Sequence, residues 1–152
     1  MLATSHREPM HELVISTLQR AFSSAVWLPS LAGRTVIDAM NRFSDPLRST
    51  TQDLADRLPG ARLVKAFNTT GFENMSTARE RSLPAAMFIA GDDGQAKARV
   101  TEILRAFGWR EPIDAGPIAS SRLLEALAML WVLYGVRNDH WTHAFSLLGR
   151  KS

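Results

Sequence analysis

The sequence predicts an α/β fold with a mainly parallel sheet, flanking helices and a C-terminal helical segment. Two observations carry this. Short β-prone apolar runs (Val36-Ile37, Leu63-Val64, Phe88-Ile89) alternate with longer amphipathic stretches, as βαβ units do. The run Leu63 to Phe67 follows a Pro59-Gly60 break and changes abruptly to Asn68-Thr69-Thr70-Gly71. Ligands of parallel sheets bind beyond the carboxyl ends of the strands, so Asn68, Thr69 and Thr70 are candidate site residues. The competing reading is that Asn68 and Thr69 cap the next helix.

A chain of 152 residues, 45% hydrophobic and 22% charged, is long enough for one domain with a core and is not compositionally disordered. The net charge is +3, but Lys and Arg are scattered, which argues against a nucleic-acid partner. There is no cysteine, so disulfides, thiolate metal sites and a cysteine nucleophile are excluded. Residues 1–10 lack the apolar core of a secretory signal. The uncharged run Ala126 to Val136 is shorter than the ~20 residues of a membrane span. A cytoplasmic protein without a membrane span is the expectation.

Residues 1–11 are polar and expected to be mobile. Glu12 to Thr17 reads as a strand followed by a helix over Leu18 to Leu28, or the two form one helix from Glu12 to Trp27; both suit the spacing. Arg34 to Asn41 reads as a buried strand. Ser44 or Asp45 caps the next helix, with Pro46 in its first turn and Leu47, Thr51, Leu54, Ala55 and Leu58 on one face. After the central strand, Gly71 to Met75 suits a short helical turn, and Ser76 to Pro84 an exposed loop. Ala85 to Ala90 is a further strand. Asp92-Asp93 then sits at the start of a helix whose inner face is Ala96, Val100, Ile103, Leu104 and Phe107, closed by Gly108. Pro112 to Gly116 is a last strand and turn. A long helix runs from Ile118 or Ala119 to about Gly135, and a shorter one spans Trp141 to Leu148. The expected organisation is an incomplete α/β domain over 12–117 and a helical segment over 118–152.

Four segments stand in a familiar order: Val36-Ile37-Asp38-Ala39-Met40-Asn41, Leu63-Val64-Lys65-Ala66-Phe67-Asn68-Thr69, Phe88-Ile89-Ala90-Gly91-Asp92-Asp93, and Asp114-Ala115-Gly116-Pro117 leading into Ile118 to Glu125. With them the chain resembles the later part of the NADPH-dependent coenzyme F-420 reductases, and is similar to the cytosolic domain of metalloreductases. The resemblance implies a partial Rossmann-like fold, NADP as cofactor, with F-420 or a flavin as hydride partner, and a homodimer through the C-terminal helices. It places Asn41 beside the nicotinamide, Asn68 and Thr69 at the redox rings, and Ala144-Phe145 in a tail near the second cofactor. Arg122 and Glu125 read as structural. Where the family has Val-Ile-Asp-Ala-Thr-Asn-Pro, this chain has Met40 and Arg42.

The family also opens with a glycine-rich turn for the pyrophosphate, and this sequence contains no Gly-x-Gly. Three expectations follow: a truncated chain, a protein that no longer binds dinucleotide, or a chain completed by another polypeptide. Loss of the first strands exposes a sheet edge and an apolar face, which invites aggregation or dimerisation. The functional alternative is a non-catalytic dimerisation or binding module.

Other constellations carry less. His140 and His143 near Asp139 lack further metal ligands. Asp92 and Asp93 suit helix capping better than acid–base work. Ser120 and Ser121 lack a hydrolase setting. The stretch Ala126 to Tyr134 is apolar all round, as a helix buried on every side or shared with a second subunit would be.

Overall fold

Adjacent residues of a strand point to opposite faces of a sheet, and here both faces are covered. A computed structural model describes residues 13–16, 31–45, 47–75, 77–110 and 112–149. Its strands are β1 (Leu13–Ser16), β2 (Thr35–Asp38), β3 (Arg62–Lys65), β4 (Met87–Ile89) and β5 (Pro112–Asp114), and its helices α1 (Thr50–Arg57), α2 (Gly94–Ala106) and α3 (Ser121–Asn138). Val36 and Leu63 pack with Leu54 and Leu58 of α1 on one face. Ile37 and Val64 pack with Val100 and Leu104 of α2 on the other.

Strands β1, β2 and β3 form a parallel sheet in that order, and β4 and β5 form a parallel pair. The two are joined where Lys65 and Ala90 exchange backbone hydrogen bonds of 2.8 and 3.1 Å. Gly91 follows directly, and a Cβ there would lie 2.5 Å from the Leu63 carbonyl oxygen, so only glycine fits this crossing. The fold is α/β and Rossmann-like, as expected. The segment 13–16 is a strand rather than part of a helix. The mobile start at 1–11 and the helix over Leu18 to Leu28 lie outside the described residues.

Three expectations about helices are corrected. Helix α1 starts at Thr50, not after Ser44 or Asp45. Ser49 and Gln52 form a capping box there, whereas the Asp45 carboxylate accepts from the Leu47 amide in a local turn. Leu47 is consequently 82% exposed instead of lying on the buried face. Asp93, by contrast, does cap α2, accepting from the Ala96 amide at 2.7 Å.

The segment from Trp141 to Leu148 is not a helix. Its carbonyls have partners elsewhere: Asn74 Nδ2 donates to those of Trp141 and His143, Trp131 Nε1 to that of His143, Arg81 to that of Thr142, and the Ala86 amide to that of Phe145. Those tertiary bonds replace the i→i−4 ladder.

Helix α3 continues past Gly135 to Asn138. A Cβ on Gly135 would lie 2.8 Å from the Trp141 ring, so this glycine makes room for a side chain and does not stop the helix. Nor is α3 buried all round. Leu124, Ala128 and Trp131 face the domain, while Leu123, Leu130, Leu133, Tyr134 and Val136 are exposed. By length and composition the stretch 118–138 suffices to cross a membrane, yet its Glu125 is buried against the sheet. Replacement of the α1 cap, Ser49→Ala, is expected to cost about 1 kcal/mol, read as a lower urea midpoint with unchanged m-value.

Candidate functional site

Asp38 and Lys65, the last residues of β2 and β3, are register partners. Three residues beyond each stands an asparagine, and the two meet. Asn41 Nδ2 donates to the Asn68 carbonyl at 3.0 Å, and Asn68 Nδ2 donates to Asn41 Oδ1 at 3.0 Å and to the Leu124 carbonyl at 2.9 Å. Phe67 makes this geometry by turning the chain through a left-handed conformation, φ +62°. That costs a non-glycine residue on the order of 1–2 kcal/mol, offset by burial of its ring edge-on against Phe107 at 5.9 Å.

Asn41 and Asn68 are therefore brought together at the carboxyl edge. Asn68 Oδ1 and the Thr70 hydroxyl are buried there without a hydrogen-bond partner. The Thr69 side chain is turned into the core instead, its hydroxyl 4.0 Å from Met87 Sδ. Ala144 packs against the core, and Phe145 lies beside the start of β4 through its bond with Ala86; neither belongs to the asparagine pair.

Beneath the pair lies a cluster that sequence reasoning gave no functional part. The Lys65 side chain is fully buried and its Nζ donates to Asp38 Oδ2 at 3.0 Å, Glu125 Oε1 at 2.6 Å and the Thr50 hydroxyl at 2.8 Å. Asp38 Oδ2 also accepts from Thr51 at 2.7 Å. The sequence signal that could have found it is a charged residue directly after each buried apolar pair, Asp38 after Val36-Ile37 and Lys65 after Leu63-Val64. Glu125, expected to be structural, is the α3 member of this cluster.

Outward from Asn41 opens a groove of about 530 Å³, lined by Asn41, Arg42, Phe43, Asp53 and Arg57 among others. That is ample for part of a small ligand. On its wall, Arg42 and Arg48 both pair with Asp53. Partial burial works against ionisation of Asp53, but the hydrogen bonds and charge of the two guanidinium groups outweigh it and hold the carboxyl below its ordinary range.

The overall fold is shared with proteins of known structure. A solved structure of a candidate F420-dependent NADP reductase from Arthrobacter sp. FB24 superposes with a TM-score of 0.81 and 27% identity, over 91% of this chain and 70% of that one. The chain resembles the later part of the F-420-dependent NADP reductases. A hypothetical protein from Sinorhizobium meliloti, SMa0349, follows at TM-score 0.60 and 25% identity, over 72% of this chain and 58% of that one.

A reductive aminase from Aspergillus terreus, solved with NADPH, shares the fold at TM-score 0.53 and 24% identity, over 84% of this chain and 43% of that one. In sequence, 122 residues are 30% identical to metalloreductase STEAP3 of Rattus norvegicus, covering 77% of this chain. The chain spans about a quarter of the length of that metalloreductase (25%). No protein-family model matches the chain.

Because Asp53 ionises more readily folded than unfolded, it stabilises the protein above the ordinary carboxyl pKa. That contribution fades as pH falls through the lower folded value. Asp53→Asn is therefore expected to lose under about 1 kcal/mol at neutral pH, with the difference from wild type starting to shrink near about pH 4 and gone only below the lowered folded value, as followed by urea unfolding across pH.

Proposed function

We propose that this chain is an NADP-dependent oxidoreductase domain in which the nicotinamide end of NADP(H) meets the Asn41–Asn68 pair. NADPH supplies a hydride when bound, and an F-420 or flavin-type ring is the acceptor this reading favours. The supporting observation is the pair itself: two carboxamides locked together at the carboxyl edge of a parallel sheet, with Asn68 Oδ1 and Thr70 Oγ1 buried and unpartnered beside it. An unpaired buried acceptor costs about 1–3 kcal/mol, and a ligand amide would satisfy it.

In this role Asn41, Asn68 and Thr70 orient the ring, Thr69 supports the turn from the core, and Ala144 and Phe145 belong to a tail facing the second ring. No side-chain acid or base is required, since hydride transfer needs the rings held face to face. The groove beside Asn41 receives the ribose end. The phosphate end fits less well, because the sequence has no Gly-x-Gly turn to admit a pyrophosphate. Support comes from one structural neighbour described as an F420-dependent NADP reductase and another solved with NADPH. The proposed setting is the cytoplasm.

A second reading, a non-catalytic dimerisation module, is favoured by that missing turn and by the exposed apolar face of α3. Leu123, Leu130, Leu133 and Tyr134 are each about half exposed on it. In both readings a second copy of the chain covers this face, since its apolar character matches itself under two-fold symmetry.

Titration of the purified chain with NADPH, followed by tryptophan fluorescence, tests the enzyme reading; micromolar affinity, lost in Asn68→Ala, is the expected result. A folded chain that ignores NADPH overturns it and leaves the module. In sedimentation, the wild type is expected to be a dimer at micromolar concentration and Leu130→Arg a folded monomer; a monomeric wild type overturns the shared interface.

A further inference from the structure

Each buried carboxylate of the Lys65 cluster divides its two oxygens between two tasks. Asp38 Oδ2 holds Lys65, while its Oδ1 accepts the Met40 amide at 2.9 Å. Glu125 Oε1 holds Lys65, while its Oε2 accepts the Arg42 amide at 3.0 Å. Lys65 itself donates to the Met40 carbonyl. The peptide groups on both sides of Asn41 are therefore held by Lys65 of β3 and Glu125 of α3, and the peptide group before them by Asp38 of β2. Residues 39–42 belong to no helix or strand, so no ladder does this work for them.

We propose that Asp38, Lys65 and Glu125 are positioning residues that set the Asn41 carboxamide against Asn68, with Glu125 carrying the setting from the C-terminal helix into the site. This rests on the reading that Asn41 meets the nicotinamide end of NADP(H). The chemistry is specific to a carboxylate. A glutamine at position 125 presents one acceptor and one donor, so it cannot accept from both Lys65 and the Arg42 amide; one contact becomes donor against donor. Arg42 is held a second time through its guanidinium on Asp53. This anchors the side chain of residue 42 but not the peptide next to Asn41.

The test needs a readout that loss of stability alone does not move. In Glu125→Gln, the side-chain NH₂ resonances of Asn41 and Asn68 are expected to shift in the free protein, and NADPH affinity to fall about tenfold or more. Leu104→Ala, a cavity in the core against α2, lowers the melting temperature but leaves both readouts at wild-type values. Unmoved asparagine resonances and unchanged affinity in a folded Glu125→Gln overturn the proposal.

Should that variant not fold, hydrogen exchange of the wild type decides. The Met40 and Arg42 amides are expected to be protected like those of β3, and free exchange at both overturns the proposal. A wild type that binds no NADPH, while Asn41 and Asn68 shift in the variant, supports the clamp and overturns the cofactor reading instead.

Discussion

A fully buried ammonium group is the most demanding feature of this chain. Removing one charge from water costs several kcal/mol even after relaxation, and Lys65 has no exposed surface. It is tolerated because Asp38 sits one strand away in register and Glu125 arrives from α3, with the Thr50 hydroxyl between them. The surplus negative charge is met in turn by the Thr51 hydroxyl and by the amides of Met40, Thr50 and Arg42. Breaking such a set by removing one member costs more than the set contributes. The sheet, α1 and α3 are therefore tied to one another by a requirement that apolar packing alone would not impose. Helix α3 cannot leave the sheet without stranding the charge.

The same logic explains which parts of the fold were legible in the sequence. Val36-Ile37 and Leu63-Val64 are apolar on both faces because α1 covers one side and α2 the other; a strand of that kind announces itself by composition. Helix α2 was legible because Asp93 and the spacing Ala96, Val100, Leu104 agree. The start of α1 was not, since Ser44, Asp45 and Ser49 are all competent caps, and only Ser49 has a Gln three residues on that bonds back. The tail failed for a different reason. Its apolar spacing suits a helix, but Asn74, Arg81 and Trp131 claim its carbonyls, and those partners lie 61 to 69 residues away for Arg81 and Asn74.

Of the site, Asn41 and Asn68 were legible through their place at strand ends and through family resemblance. The sense of Thr69 was not, because a left-handed Phe67 reverses the expected direction of the chain just before it. His143 shows a related limit. Its spacing from His140 suggested a shared helical face, yet the ring stacks on Trp131 at 4.4 Å, and both its nitrogens meet backbone carbonyls, those of His140 and Trp131. It is part of the lock between tail and helix.

Dinucleotide sites divide their labour along the ligand. Phosphates are held by amide groups at a glycine turn and a helix start, which supply most of the grip. The nicotinamide end contributes orientation through a few polar groups. This sequence carries candidates for the second kind of residue, Asn41 and Asn68, and contains no Gly-x-Gly of the first kind. Orientation without grip is inefficient for a lone chain, because the entropy of immobilising a dinucleotide must be offset somewhere. Yet the support beneath Asn41 is elaborate: three ionisable groups at the centre of the fold hold three successive peptide groups. A module selected only to dimerise would satisfy the same space with apolar residues at equal or lower cost. The buried charges are thus the feature that supports the proposed ligand at this edge.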